Sequence, residues 1–118
     1  MPEIDSGALG EMSAEVYLKR KGYYIEARNY RCKYGELDIV ARDGSCIVIA
    51  EVKTRKSHAY GTPAEFVTPK KQERIRHAAM DYVGYKETEM RFDVIEVFYS
   101  RGRNGLEVSK INHIRNAF

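Results

Sequence analysis

The chain is poor in the residues that mark oxidised, metal-stapled or membrane-spanning proteins. Its two cysteines, Cys32 and Cys46, are too few and too unpatterned for a disulfide framework or a zinc site. A reduced setting is therefore expected, with both cysteines structural. The three histidines, His58, His77 and His113, have no metal-ligand spacing and no evident nucleophilic partner. No segment approaches the roughly 18 consecutive apolar residues of a membrane helix. The opening stretch, Met1-Pro-Glu-Ile-Asp-Ser6, lacks the basic region and apolar run of a signal peptide. These absences predict a soluble, cytoplasmic protein with no membrane partner. Repeats, low-complexity tracts and linkers are also missing from the sequence.

What is present suits one globular domain spanning residues 1–118. The length, 118 residues, is enough for one real core but not two. Hydrophobic residues make up 43% and charged residues 31%, which is ordinary for a soluble fold. A net charge of +3 and pI near 8.8 permit a nucleic-acid partner without demanding one.

The element order is readable. Ser6 or Gly7 to Lys21 has a helical pattern ending at Gly22, and Tyr23 to Asn29 reads as a strand. Two apolar runs, Glu36 to Arg42 and Ile47 to Arg55, flank Asp43-Gly44 and read as a hairpin. Residues 58–68 read mostly as loop, with a possible turn from Ala64 to Val67. Thr68-Pro69 supplies an N-cap and N1 proline for a helix to about Val83. Arg91 to Tyr99 and Leu106 to Ile111 complete five strands. The expectation is an α/β fold: an αβββαβ core whose mixed sheet is flanked by helices, with one extra C-terminal strand.

Asp38, Glu51 and Lys53 stand out as charges in core-like strands, a costly placement unless they pair or bind a metal. If Asp43-Gly44 forms the centre of a type I′ turn, Arg42 pairs with Ser45, Asp38 faces Ile49 and Glu36 faces Glu51. Asp38 and Glu51 are then diagonal neighbours about 7–8 Å apart on one face, within reach of a shared cation. Glu36 directly across from Glu51 would repel it unless a cation or Lys53 intervened. A bulge near the site would alter this register.

Other charged residues are more ambiguous. Glu11 shares a helix face with Ala14 and Leu18, although periodicity alone favours a solvated carboxylate at the stripe's edge over a third acidic group. Lys71 and Gln72 end the Ile75, Ala78, Ala79, Tyr82 stripe at a helix N-terminus, where dipole and free N–H groups favour phosphate. Lys70, Arg74 and His77 read as solvated. Arg55 and Lys56 form a basic stretch leaving the third strand. Asp93 faces the site or, more simply, satisfies a neighbouring backbone group. The nine tyrosines include Tyr23, Tyr24, Tyr30, Tyr34 and Tyr60, to which no stacking role is assigned.

The string Gly35-Glu36-Leu37-Asp38 followed by Glu51-Val52-Lys53 resembles the core motif of the PD-(D/E)xK nuclease superfamily. With Gly10-Glu11, Leu18, Gly22-Tyr23, Arg28-Asn29, Tyr60-Gly61, Val67-Thr68, Lys71-Gln72 and Arg91-Phe92-Asp93-Val94, the chain resembles the YraN-like family of predicted bacterial endonucleases, related to archaeal Holliday junction resolvases. The resemblance spans about residues 9–98. It implies a restriction-endonuclease-like core in which Asp38 and Glu51 ligate Mg²⁺ or Mn²⁺ and Lys53 orients or activates the attacking water. It further implies that Glu11 is an accessory carboxylate, reversing the weighting from periodicity, and that Gln72 positions water or phosphate. Arg55, Lys56 and Lys71 become candidate nucleic-acid contacts, with Glu36 a possible accessory. The superfamily's usual proline before the first acid is replaced by Leu37.

The expected function is metal-dependent phosphodiester hydrolysis in nucleic acid, DNA and possibly branched DNA, by a possible homodimer. Two rivals stand beside it: a nucleic-acid-binding module that does not cleave, and a structural domain whose Glu36, Glu51 and Lys53 form an ion-pair network.

Overall fold

A computed structural model describes residues 5–57 and 67–118. Helix α1 (Ser6–Arg20) leads into strands β1 (Tyr24–Cys32), β2 (Gly35–Asp43) and β3 (Cys46–Lys56). Helix α2 (Pro69–Tyr82), β4 (Met90–Gly102) and β5 (Gly105–Ile114) follow. The five strands form one sheet in the order β1-β2-β3-β4-β5. Only β3 and β4 run parallel, and α2 lies in the connection between them, as a parallel pair requires. The mixed sheet and the αβββαβ order with a fifth strand are as expected. β1, β4 and β5 extend beyond the sequence-derived ends. The loop expected at 58–66, including the turn from Ala64 and the positions His58, Tyr60 and Gly61, lies outside the described residues.

Local chemistry explains where the helices begin and end. Asp5 caps α1 by accepting the Ala8 N–H at 2.7 Å. At the other end Gly22, at φ 91°, closes the helix: its N–H reaches the Lys19 carbonyl and that of Tyr23 reaches Leu18, the paired bonds of a Schellman motif. Thr68 caps α2 by accepting the Lys71 N–H at 3.2 Å, with Pro69 at N1, where its missing N–H costs nothing.

Each sheet face buries its own cluster. Ala14 and Leu18 of α1 pack on Ile39, Ala41, Val48, Ala50, Ile95 and Val97. Ile75, Ala78 and Ala79 of α2 pack on Leu37, Val40, Ile47, Ile49 and Val94. Truncating a fully buried leucine such as Leu18 to alanine would cost about 2–5 kcal/mol. Gly10 sets how closely α1 approaches the sheet, because a Cβ there would stand 2.4 Å from Thr54 Oγ1.

The β2–β3 register differs from the sequence expectation. Asp43 pairs with Cys46, Arg42 with Ile47 and Ile39 with Ala50, so Gly44 and Ser45 occupy the turn. Gly44 has φ 61° and Ser45 no positive φ, the pattern of a type II′ turn with glycine first. Moving the turn by one residue slides the partners by two. The faces are preserved, but Asp38 comes level with Glu51 rather than Ile49.

Candidate active site

Three strands meet at one level. Arg28 pairs with Ile39 and Tyr30 with Leu37 across β1 and β2, while Ile39 pairs with Ala50 across β2 and β3. Asn29, Asp38 and Glu51 therefore lie abreast. Regular alternation breaks here: Leu37 packs beneath α2, whereas Ile39, two residues on, packs beneath α1. Asn29 holds a φ of 52°, left-handed backbone that asparagine tolerates better than most residues. β1 therefore continues through Asn29, where the sequence pattern had ended it.

Beyond Ile39–Ala50, side chains take over the ladder. The Val52 N–H donates to Asp38 Oδ2 at 2.9 Å, and the Asp38 N–H donates to Glu51 Oε2 across a longer 3.4 Å. Each carboxylate gives one oxygen to backbone and keeps a second for another ligand. Glu51 is only 5% exposed. Burial first, and then the charge of Asp38, push its carboxyl up to about 8. Burial also raises Asp38, against the pull of the Val52 N–H and of Lys71. Both groups thus sit where negative charge is poorly solvated.

Lys71 acts on both acids, and on Asp38 its electrostatic pull precedes that of Lys53. It belongs to a cleft of about 420 Å³ that Glu36, Asp38 and Glu51 line from the sheet and Thr68, Lys70, Lys71 and Arg74 line from α2, with Tyr34 beside them. Lysines in the first turn of a helix with no acid there oppose its dipole, at about 0.3–1 kcal/mol each. The sheet carboxylates, and any anion entering the cleft, offset that cost. A larger groove of about 620 Å³ runs between α1 and β5 but contains none of these acids, so size alone does not find the chemistry.

The other candidates divide. Lys53 shares the face of Glu51 by alternation and stands level with Glu96 on β4. Glu11 does not line the cleft, yet it lies near enough that burial, and next the charges of Asp38 and Glu36, raise its carboxyl. Glu36 is not opposed to Glu51 as the idealised turn required; it pairs with Arg31 at 3.5 Å. The Gln72 Nε2 donates to the Val67 carbonyl at 2.9 Å, which ties down the entry to α2. Arg55 is turned inward, its guanidinium 9% exposed and 3.2 Å from Glu96. Lys56 borders a different groove with Ser57 and Tyr99. Lys70 and Arg74, read from the sequence as merely solvated, line the acidic cleft. Helical periodicity missed them because the cleft opens beside the first turn of α2 rather than beneath its apolar stripe.

Asp93 faces away from this site. It is fully buried and receives Arg91 Nε at 2.9 Å, His113 Nε2 at 2.7 Å and the Asn116 N–H at 3.1 Å. Arg91 also bonds the Tyr23 hydroxyl at 2.6 Å.

The model of the uncharacterised protein family UPF0102 matches residues 10–97, which takes in both acids, the lysines and the first three strands. The chain belongs to this family. It is 47% identical to a UPF0102 protein of Alkaliphilus oremlandii over 95% of this chain and 96% of that protein. It is 44% identical to one of Caldicellulosiruptor saccharolyticus over the full length of both. A third, from Geotalea uraniireducens, is 44% identical over 95% of this chain and 87% of its own length. All three carry the UPF0102 designation without an activity, so function has to be read from the site.

The donor set fits a hard divalent ion. Asp38 and Glu51 offer carboxylate oxygens, the preferred ligands of Mg²⁺ and Mn²⁺. Among the described residues no three His, Cys, Asp or Glu side chains converge to hold an ion by themselves. Water and substrate oxygens would complete the shell, and Mg²⁺ commonly binds through only one or two carboxylates.

Proposed function

We propose that this protein is a metal-dependent nuclease of the PD-(D/E)xK type, hydrolysing phosphodiester bonds in nucleic acid, DNA first and branched DNA among its candidate substrates. The observation that carries the reading is the carboxylate pair of half-buried Asp38 and buried Glu51, standing in for the β2–β3 ladder inside a cleft with Lys70, Lys71 and Arg74. No helix among the described residues is long and apolar enough to cross a membrane.

Asp38 and Glu51 would hold Mg²⁺ or Mn²⁺, which supplies Lewis-acid polarisation of a phosphate oxygen and lowers the pKa of coordinated water. The protein's own groups do the rest. Lys70, Lys71 and Arg74 bind the phosphodiester and align it by charge and hydrogen bonding. The N-terminus of α2 adds its dipole where negative charge grows in the transition state. Lys53, on the face of Glu51, orients the attacking water.

The test is a cleavage panel of single-stranded, duplex, flapped and four-way-junction DNA, plus RNA, in Mg²⁺ and in Mn²⁺. Wild type should cut at least one substrate, while Asp38→Ala and Lys53→Ala should cut none appreciably. Full cleavage by Asp38→Ala would sink the assignment. The basic wall from α2 does not itself depend on the carboxylates, and this favours a binding module as the second reading. Retention of DNA in chelator, with no product in any metal, would select it.

A further inference from the structure

The geometry points to Asn29 as a positioning residue that holds the Glu11 and Glu36 carboxylates beside the Asp38–Glu51 pair, an inference that rests on the nuclease reading above. With its amide nitrogen facing the carboxylates, Asn29 donates to Glu36 Oε1 at 2.9 Å and to Glu11 Oε1 at 3.2 Å. Those two acids come from different elements, α1 and β2. The orientation is assigned by its hydrogen bonds: turned the other way, the amide oxygen would face two acceptors.

A second, separate observation concerns the backbone. Asn29 adopts φ 52° within a strand at the level where Asp38 leaves regular alternation. That conformation allows the carboxamide to sit between the helix and the neighbouring strand. Other ties on these acids are weak. The Arg31–Glu36 contact is 3.5 Å with 79% and 38% of the two side chains exposed, and such pairs contribute little.

The residue type suits the task. Two carboxylates facing each other near Asp38 repel, so something must hold them. Lysine or arginine would do so by cancelling the charge that attracts a cation. An asparagine amide has two N–H groups and no charge, so it fixes both carboxylates while leaving their charge intact. Fixed there, Glu11 and Glu36 can accept hydrogen bonds from water carried by an ion at Asp38 and Glu51, a supporting role whose loss typically costs about 10–100-fold in metal affinity or activity.

Two variants separate side chain from backbone. Asn29→Gly keeps the left-handed conformation and removes the amide, whereas Asn29→Ala removes the amide and strains the backbone. Calorimetric titration with Mn²⁺ and thermal melting are run on both, on wild type and on Asp38→Ala. Asn29→Gly should melt near wild type yet bind Mn²⁺ about 10-fold more weakly, and on DNA its kcat should fall by a similar factor with KM unchanged. If Asp38→Ala loses Mn²⁺ while Asn29→Gly binds and turns over like wild type, with only Asn29→Ala impaired, Asn29 is a backbone residue and the inference is overturned. If wild type binds no Mn²⁺, or Asp38→Ala binds it equally well, the nuclease reading falls and takes this role with it.

Discussion

Asp93 on β4 and Glu51 on β3 occupy neighbouring parallel strands and are nearly as buried as each other, at 0% and 5% exposure, yet their surroundings pull them in opposite directions. Burial alone would raise both. Around Asp93, His113, Arg91 and the Asn116 N–H outweigh burial and hold the carboxyl below its usual range. Around Glu51 the backbone donor among the described residues is the distant Asp38 N–H, a second carboxylate stands level with it, and burial dominates. A buried acid whose donors come from strand, helix and C-terminal segment together is a structural joint. A buried acid beside another acid, facing lysines at a helix N-terminus across an open cleft, keeps a carboxyl that burial and its neighbour hold high. The comparison separates a network that satisfies its buried acid from a cleft where two acids raise each other, which is where the proposed cation would bind.

The comparison breaks first on activity. Asp38→Ala should lower cleavage by at least about 10³-fold, the rate equivalent of the several kcal/mol a bound ion supplies, while leaving the thermal melting midpoint at or above wild type. Asp93→Ala should do the reverse. Stranding buried Arg91 and His113 without their acid costs about 3–5 kcal/mol, a large part of the 5–15 kcal/mol typical of a domain. Urea titration would show it. A loss below about 1 kcal/mol would mean that Asp93 is no joint at all, and the contrast with Glu51 would lose its meaning.

Much of this contrast was legible in the sequence, and its gaps have physical causes. Asp38, Glu51 and Lys53 stood out because charges in apolar strands need a reason, and the shared face of Glu51 and Lys53 on β3 survived the change of turn, while Asp38 sits where β2 leaves regular alternation. Their spacing did not survive. Asp43-Gly44-Ser45 contains both a type I′ reading and a type II′ reading; Gly44 has positive φ in either, and what selects between them is that Asp43 has none and pairs with Cys46. Arg91 is a same-face neighbour of Asp93 two residues away on β4, but the rest of the network was invisible because His113, Tyr23 and Asn116 are brought to them by tertiary packing. Asn29 was missed for a related reason: its function depends on a left-handed backbone inside a strand, which no periodicity announces. The Arg55 contact was hidden in the same way, since a basic residue leaving a strand gives no sign in the sequence of the Glu96 carboxylate beside it.

A smaller effect follows from pH. Because Glu51 is raised from 4.5 to about 8, the unfolded chain releases this proton before the folded one does as pH climbs between those values. The folded state then holds more protons, and metal-free stability falls across that window, by on the order of 1 kcal/mol or more. Asp93, held low, has the opposite sign: its contribution is complete above the ordinary value of 3.8 and disappears as pH drops through its folded value. Urea titrations in chelator from pH 4 to 9 should therefore show a decline between about 4.5 and 8, removed by Glu51→Gln and reduced by saturating Mn²⁺. A profile that stays flat in wild type and is unchanged in the variant would mean that Glu51 is stabilised after all, as Asp93 is.

The finest distinction concerns the cations. If the lysines beside the acids serve a phosphodiester rather than merely offsetting Asp38 and Glu51, Lys71→Ala should weaken DNA binding in chelator by about 1 kcal/mol, or roughly fivefold, and reduce the slope of log affinity against log salt by about one. Arg55→Ala should instead lower stability, because it leaves the Glu96 carboxylate, 3% exposed, without this cation and with the neutral Asn112 amide at 2.9 Å, and should leave the salt slope unchanged. Fluorescence anisotropy at several salt concentrations reads the two slopes, and urea titration reads the stability of Arg55→Ala. An unchanged slope in Lys71→Ala, with metal affinity increased or unchanged, would reduce Lys71 to an internal counter-charge for the carboxylates, and the acidic site would then resemble the Asp93 joint more closely than its exposed cleft suggests.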